Sequence, residues 1–140
     1  MKDELTYDVI AEKEFKKSLI QYWSNGILYI YVKPDVQITL DDIDEGMEFV
    51  YSLGEGLMFL NLFEFDTNSD MDDAVRNWAA DPNGNKHTIA DAYVLTSFSQ
   101  KMIGNFYLRF HRPVKPTKFF NTLKDASEWL LEFKESSQNK

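Results

Sequence analysis

The chain contains no cysteine. This absence excludes disulfide bridges, thiol nucleophiles and cysteine-based zinc sites, and it fits a reducing compartment. The sequence also lacks any apolar run as long as a membrane span, and no signal peptide is recognisable at its start. We therefore predict a cytoplasmic protein without a membrane span.

Motifs that dictate a reaction are missing as well. There is neither a Gly-x-Ser-x-Gly elbow nor a P-loop, and Gly54-Glu55-Gly56 precedes a predicted strand, whereas a dinucleotide-binding loop must follow one. His87 and His111 are the only histidines, and they lie far apart in predicted loops. We therefore predict no catalytic residues and no cofactor, and we expect that the protein is not an enzyme.

An acidic segment begins like a calcium-binding loop but does not complete the pattern. Asp66, Asn68 and Asp70 occupy the first three ligand positions, but Met71 stands where the loop needs glycine and Asn77 where it needs glutamate. Turn and helix-cap chemistry explains such residues better, so no metal site is predicted.

Acidic residues are absent from one long part of an otherwise acidic chain. The formal net charge of −8 argues against nucleic-acid binding, which needs cations that displace counterions from phosphates. From Ala92 to Lys124, however, there is no Asp or Glu, whereas residues 1–91 carry 19 acidic and 7 basic side chains. We predict that Arg109, Arg112 and Lys115 contact an anionic partner surface, such as the acidic half of a second copy in a homodimer.

A chain of 140 residues is long enough for one domain with a proper core. We predict a loosely ordered N-terminal arm over residues 1–16, a single α/β domain over residues 17–135 and a polar tail over residues 136–140. Within the domain, Leu57 to Phe63 is an almost unbroken apolar run. Because a strand covered on both faces is apolar throughout, this run predicts the central strand of a sheet.

Two β-rich runs on either side of Asn25-Gly26 predict a hairpin with a two-residue turn at the edge of that sheet. This register puts Tyr22, Tyr29 and Tyr31 on one face, together with Ile20 and Ile27. If helices cover the opposite face, the tyrosines form an apolar interface or a ligand-binding face. Alternatively, they are half-buried strand residues whose hydroxyls reach water.

The rest of the pattern alternates helices with strands. Apolar residues at helical spacing predict four helices, which begin near Thr39, Ser69, Ser99 and Thr122. The resulting order, β-β-α-β-α-β-α-β-α, requires mostly parallel strands joined by right-handed crossovers. The predicted core comprises Trp23, Leu28, Ile30, Leu60, Leu62, Trp78, Val94, Phe106, Trp129 and Phe133.

Several short segments occur along the chain in an order that is typical of one family. They are Asn25 to Leu28, Ala90 to Val94, Met102 to Tyr107, Pro116 to Phe120 and Ala126 to Leu130. Together with the element order, they make the chain resemble the STAS family of anti-sigma-factor-antagonist-like domains, especially its small stand-alone bacterial SpoIIAA-like members. The element order predicts a five-stranded, mostly parallel sheet with an antiparallel edge hairpin. The resemblance implies a mixed sheet with its strands in sequential order, helices mainly on one face, and no known catalysis.

STAS regulators also present a phosphorylatable serine at the start of the helix after the third strand. The corresponding segment here is Asp66 to Asp70, in which Thr67 and Ser69 are the candidate phospho-acceptors. The segment lacks the family's glycine, and its acidic side chains would repel an added phosphate. The interpretation that we favour for Ser69 is therefore a helix N-cap.

The missing catalytic motifs and the resemblance together predict a non-enzymatic binding or regulatory module that acts through protein–protein contacts. The alternative is a carrier of a small apolar or lipid-like ligand, because CRAL-TRIO proteins use a similar α/β scaffold in this way. A carrier should contain an enclosed apolar cavity, whereas a protein-binding module should present an exposed surface.

Overall fold

The structure is a computed structural model that describes residues 6–84 and 86–138, without the side chains of residues 110 and 135–138. Residues 1–5 of the predicted arm and residues 139–140 of the predicted tail lie outside this description. The strands are β1 (Val9–Glu14), β2 (Ser18–Trp23), β3 (Ile27–Val32), β4 (Gln37–Ile38), β5 (Phe59–Phe65), β6 (Asp70–Met71), β7 (Thr88–Val94) and β8 (Thr117–Phe120). The helices are α1 (Leu40–Tyr51), α2 (Asp73–Ala80), α3 (Phe98–Phe106), which continues into a π-helical turn (Tyr107–His111), and α4 (Leu123–Gln138).

Six strands form one sheet in the order β1-β2-β3-β5-β7-β8. The first three strands pair antiparallel, and β3, β5, β7 and β8 pair parallel. The apolar run predicted as the central strand forms most of β5, which lies between β3 and β7. The predicted mixed α/β class with a mostly parallel sheet is therefore confirmed. The short strands β4 and β6 pair separately from this sheet.

The N-terminal segment is more ordered than the sequence predicted. Residues 9–14 of the predicted loose arm form β1, which pairs with β2, and the Lys33 ammonium lies 2.7 Å from the Glu14 carboxylate. Most side chains of β1 are exposed, so the strand has no buried face. Its sequence therefore lacks the alternation of apolar and polar residues that identifies a half-buried strand. The sheet therefore has six strands rather than five, and the β2–β3 hairpin does not lie at its edge.

The turn between β2 and β3 is one residue longer than predicted. Because Ile20 pairs with Ile30, three residues, 24–26, connect the two strands. The N–H of Gly26 donates to the carbonyl of Trp23 at 3.0 Å, and Gly26 has a φ of 94°. A type I turn followed by a left-handed glycine is a common three-residue hairpin connection.

This one-residue difference changes which side chains share a face, since strand side chains alternate. Tyr22 pairs with Leu28 and lies on the face that α1 covers, where its ring contacts Phe59 edge-on at 5.7 Å between centroids. Tyr29 and Tyr31 lie on the opposite face. The prediction that all three tyrosines share a face is therefore wrong.

Helices cover both faces of the sheet unequally. On one face, Ala126 and Leu130 of α4 pack against a cluster that includes Leu60, Leu62 and Ala92. The opposite face carries the other three helices. There Val50 of α1 packs with Ile20, Leu28 and Phe59, and Val75 of α2 packs with Val32, Phe65 and Tyr93. The expectation of helices mainly on one face agrees with this arrangement.

The predicted core is largely buried. Trp23, Leu28, Leu60, Leu62 and Val94 are buried, and Ile30, Trp78, Trp129 and Phe133 are half-buried against these clusters. Phe106 is the exception, because half of its surface is exposed. Its position follows from the orientation of α3, described below.

Two of the four helix starts differ from the prediction. Thr39 precedes α1 and Thr122 precedes α4, as predicted. Asp72, not Ser69, is the N-cap of α2, and its carboxylate accepts from the N–H of Val75 at 2.9 Å. Helix α3 begins after Ser97, two residues before the predicted start.

Candidate functional site

Helix α3 faces the sheet with small and polar residues. Gln100, Gly104 and Tyr107 recur at helical spacing, and all three are buried. A Cβ atom on Gly104 would lie 2.8 Å from the ring of Phe119 and 3.0 Å from the side chain of Leu95, so the helix lies directly on the sheet there. This close contact fixes the rotation of α3.

The opposite side of α3 and the residues after it expose apolar side chains, which we call the α3 surface. Its members are Phe98, Met102, Ile103, Phe106, Leu108 and Val114. Phe98 is 78% exposed, Met102 57% and Phe106 50%, and these three recur every four residues along one side of the helix. Such a concentration of exposed apolar side chains is typical of a contact site.

Three basic residues, which we call the basic segment, accompany the α3 surface. Arg109 and Arg112 are exposed and Lys115 is half-buried. Within the described part of the chain, none of them forms an ion pair with a carboxylate within 4.0 Å. Arg112 also has a φ of 49°, a left-handed conformation that favours glycine. The three cations lie in the π-helical turn and in the segment that follows it, directly after α3 in the chain, and the sequence did not predict the apolar surface of that helix.

The two tyrosines opposite α1 make structural contacts. Tyr29 stacks on Trp23, with 5.1 Å between ring centroids, and its hydroxyl donates to the carboxylate of Glu64. The hydroxyl of Tyr31 donates to Asp66. Burial, with the hydrogen bond to Glu64, raises the pKa of Tyr29, and the hydrogen bond to Asp66 raises the pKa of Tyr31 to about 12. These contacts favour the interpretation of half-buried strand residues.

The two candidate phospho-acceptors differ in accessibility. Thr67 is exposed, and its hydroxyl donates to Asp66 at 3.1 Å. Ser69 is 2% exposed, and its hydroxyl donates to the backbone carbonyl of Lys33. The amide of Gln100 donates to the carbonyl of Asp66 at 2.7 Å, which attaches this segment to α3. Only Thr67 is therefore open to a modifying enzyme in this conformation.

A cavity of about 120 Å³ lies between the sheet and helices α1 and α2. Most of its lining is apolar and includes Ile20, Leu28, Ile30, Met47, Val50 and Phe63. The cavity also has a polar end, formed by Asn61 of β5 with Thr88 and Asp91 of β7. An apolar pocket with a few convergent polar groups is the usual form of a small-ligand site.

The polar end is held together by a single amide group. Asn61 Nδ2 donates to Thr88 Oγ1 at 2.8 Å and to Asp91 Oδ1 at 2.9 Å. Asp91 is 2% exposed. Burial raises the pKa of its carboxyl group to about 7, although the hydrogen bond from Asn61 and the charge of Lys115 act in the opposite direction. A strongly perturbed carboxyl group in a cavity is typical of functional sites.

The sequence analysis missed this cluster, but a signal was present. Asn61 and Asp91 are polar residues in the middle of two mainly apolar strands, and they face each other as register partners in β5 and β7. A polar residue in a strand covered on both faces needs a hydrogen-bond partner, so each of them predicts another polar group nearby.

The two histidines lie in different places. His87 lines the cavity, and its ring contacts Tyr51 edge-on at 5.5 Å between centroids. No hydrogen bond joins His87 to Asp91 among the described residues. His111 Nε2 lies 3.2 Å from Asp73 Oδ1, where the π-helical turn meets α2. Over residues 6–84 and 86–138, no group of three His, Asp or Glu side chains could hold a metal ion.

None of the helices in the described ranges is long and apolar enough to cross a bilayer.

The sheet order and the helix arrangement form a SpoIIAA-like α/β fold, as the resemblance inferred from the sequence implied. One similar solved structure is that of an uncharacterized protein of the DUF3478 family with a SpoIIAA-like fold, from Shewanella loihica PV-4. It is 14% identical, with a TM-score of 0.54 over 91% of this chain and 97% of that chain, so the likeness shows the fold alone. The chain itself belongs to the family described as domain of unknown function DUF7793, whose model matches residues 21–134. No curated protein matches the chain.

Proposed function

We propose that this protein is a non-enzymatic binding module that holds an acidic protein partner against the α3 surface and the basic segment. The observation that carries the proposal is the exposure of Phe98, Met102 and Phe106 on one side of α3, in a stretch without acidic residues. Apolar side chains supply the contact area, and the arginines supply recognition of carboxylates through paired hydrogen bonds.

The charge distribution favours a partner of a different kind over a symmetric homodimer. Two copies that met through their α3 surfaces would bury like charge, because each copy would bring Arg109 and Arg112 to the contact and no acidic residue from the segment 92–124. A second copy could instead offer an acidic surface such as that of α1, but such a head-to-tail contact does not close unless it forms a ring. A separate acidic protein avoids both problems.

The basic segment can be tested with two matched triple variants. The first is Arg109→Ala with Arg112→Ala and Lys115→Ala. The control is Lys13→Ala with Lys16→Ala and Lys86→Ala, which changes the net charge equally at other exposed positions. Quantitative affinity capture at low and high salt compares both variants with the wild type, and sedimentation velocity measures self-association.

The proposal requires that the first triple variant lose specific acidic partners that the control retains. Capture by the wild type should also weaken as salt rises, because salt screens exposed charges. Loss of self-association alone would identify a second copy as the occupant. Equal capture by both variants, with the same salt dependence, would show that the basic segment is a solvated face.

A second candidate function, binding of a small apolar ligand, has the cavity in its favour. A cavity of about 120 Å³ is close to the roughly 150 Å³ engineered cavity that holds benzene, and well below the roughly 300 Å³ or more of drug-sized pockets. A ligand of about the size of one aromatic ring therefore fits, whereas a lipid chain is larger than this volume.

A further inference from the structure

The polar end of the cavity has hydrogen-bonding capacity that the described residues leave unused. Both amide hydrogens of Asn61 are donated, one to Thr88 and one to Asp91. Among the described residues, no other hydrogen bond reaches the Asp91 carboxylate, and no Lys, Arg or His nitrogen lies within 4.0 Å of it. One carboxylate oxygen of Asp91 therefore has no hydrogen-bond partner among the described residues, and the residue as a whole is 2% exposed.

A buried carboxylate is stable in its charged form only if a cation or several donors compensate for the lost water. Lys115 acts on Asp91 through its charge without bonding to it, and burial raises the pKa of the carboxyl group to about 7. The protein thus contains an acid that is close to ionisation and lacks a bonded counter-ion.

We propose that the cavity binds a small apolar amine, whose ring or short alkyl body lies among Leu28, Met47 and Val50 and whose ammonium group bonds to Asp91. The inference rests on the second candidate function, ligand binding in this cavity. The amine supplies the cation that the carboxylate lacks, and its body replaces empty apolar volume with contacts. An anionic ligand would be repelled, and a neutral one would gain a weaker hydrogen bond.

The competing interpretation is that Asp91 has a structural role, in which its bond to Asn61 ties β7 to β5. In that case the cavity would bind apolar molecules without preference for the chemical group they carry. The two interpretations predict different selectivity within a matched series of ligands of one size.

The test uses toluene, benzyl alcohol and benzylamine with the full chain, observed by NMR shift perturbation of cavity-lining methyl groups. We expect benzylamine to bind at least about tenfold more tightly than benzyl alcohol near pH 8. In Asp91→Asn this advantage should disappear while toluene binding remains. Similar affinities of the amine and the alcohol in the wild type would overturn the proposed ligand class but leave the cavity as an apolar site.

A second variant keeps the test decisive if Asp91→Asn does not fold. Val50→Met adds a flexible apolar side chain to the cavity lining, and it should weaken binding of all three molecules. If none of the three molecules shifts the cavity methyl groups in the wild type, both the amine site and the ligand-binding function are wrong.

The pH dependence gives an independent readout. Benzylamine affinity should rise with pH as Asp91 ionises, whereas toluene affinity should not change with pH. The carbon chemical shift of the Asp91 carboxyl group measures that ionisation. The other ionisable groups near the cavity are Asp42 and His87 on its lining, Lys115, and the tyrosines 93 and 107. An affinity that follows a different titration would contradict the assignment to Asp91.

Discussion

Asp91 makes the stability of the fold depend on pH. Its carboxyl pKa is about 7 in the folded protein and 3.8 in the unfolded chain. Between these values the unfolded chain releases the proton and the folded protein keeps it, so stability falls as pH rises. The loss begins above the unfolded pKa and is complete above the folded one, where it reaches roughly 4 kcal/mol.

Asp91→Asn should remove this pH dependence, because asparagine keeps an oxygen that can accept from Asn61 and carries no charge. Between about pH 5.5 and pH 8.5, we expect the wild type to lose about 2 kcal/mol of stability relative to the variant. Urea unfolding of both proteins at the two pH values measures this difference, and groups common to both cancel. Parallel pH profiles would show that Asp91 titrates at an ordinary value.

Arg112 occupies a left-handed backbone conformation that an arginine adopts at a cost. Arg112→Gly should therefore raise the free energy of unfolding by about 1 kcal/mol. The same change at Arg109, inside the helical turn, should lower it by about 1 kcal/mol. Denaturant unfolding measures both effects.

If Arg112 serves in partner contact, Arg112→Gly should also weaken partner capture although it stabilises the fold. A variant that gained stability and captured the partner as the wild type does would show that the side chain makes no contact.

At the scale of elements, the orientation of α3 determines what the molecule exposes. Gly104 allows the helix to lie on Phe119 and Leu95, and this places Gln100 toward the sheet and Phe106 toward solvent. An amphipathic pattern shows which residues share a side of a helix but not which side meets the sheet. The sequence therefore predicted α3 as a helix but assigned Phe106 to the core.

In other elements too, some features could be predicted from a local sequence pattern, whereas others depend on tertiary contacts. The run that forms β5 could be placed between neighbours because its continuous apolar pattern reports burial on both faces. The hairpin was recognised from Asn25-Gly26, but its register depends on whether the turn has two or three residues. Because both kinds of turn use a left-handed glycine, the sequence does not distinguish them. The cavity is set by how α1 and α2 lie on the sheet, which no local pattern records.

The α3 surface should contribute more to binding than to folding. We expect Phe98→Ser with Met102→Ser to change the free energy of unfolding by less than about 1 kcal/mol, because both side chains are already exposed. Leu62→Ala, at a fully buried position of β5, serves as the control and should cost about 2–5 kcal/mol. Denaturant unfolding and partner capture are measured on the same preparations. A large loss of stability in the double variant would mean that α3 exposes less than the structure shows.

At the scale of the whole molecule, two acidic parts of the chain flank one basic, apolar segment that has no acidic residue. The acidic residues are concentrated before Ala92 and after Lys124, whereas the exposed apolar side chains of α3 occur between these limits with Arg109 and Arg112. The SpoIIAA-like scaffold places α4 on the other side of the sheet, away from this surface. The molecule therefore has two separate candidate sites, an outer surface for an acidic protein and an inner cavity for a small amine.

Hydrogen exchange of the wild type, alone and with a captured partner, tests the central claim most directly. We expect slower amide exchange on partner binding in residues 98–115, with little change in β1, β2 and β3. Protection concentrated around Tyr29 and Tyr31, with unchanged exchange in α3 and the π-helical turn, would contradict it.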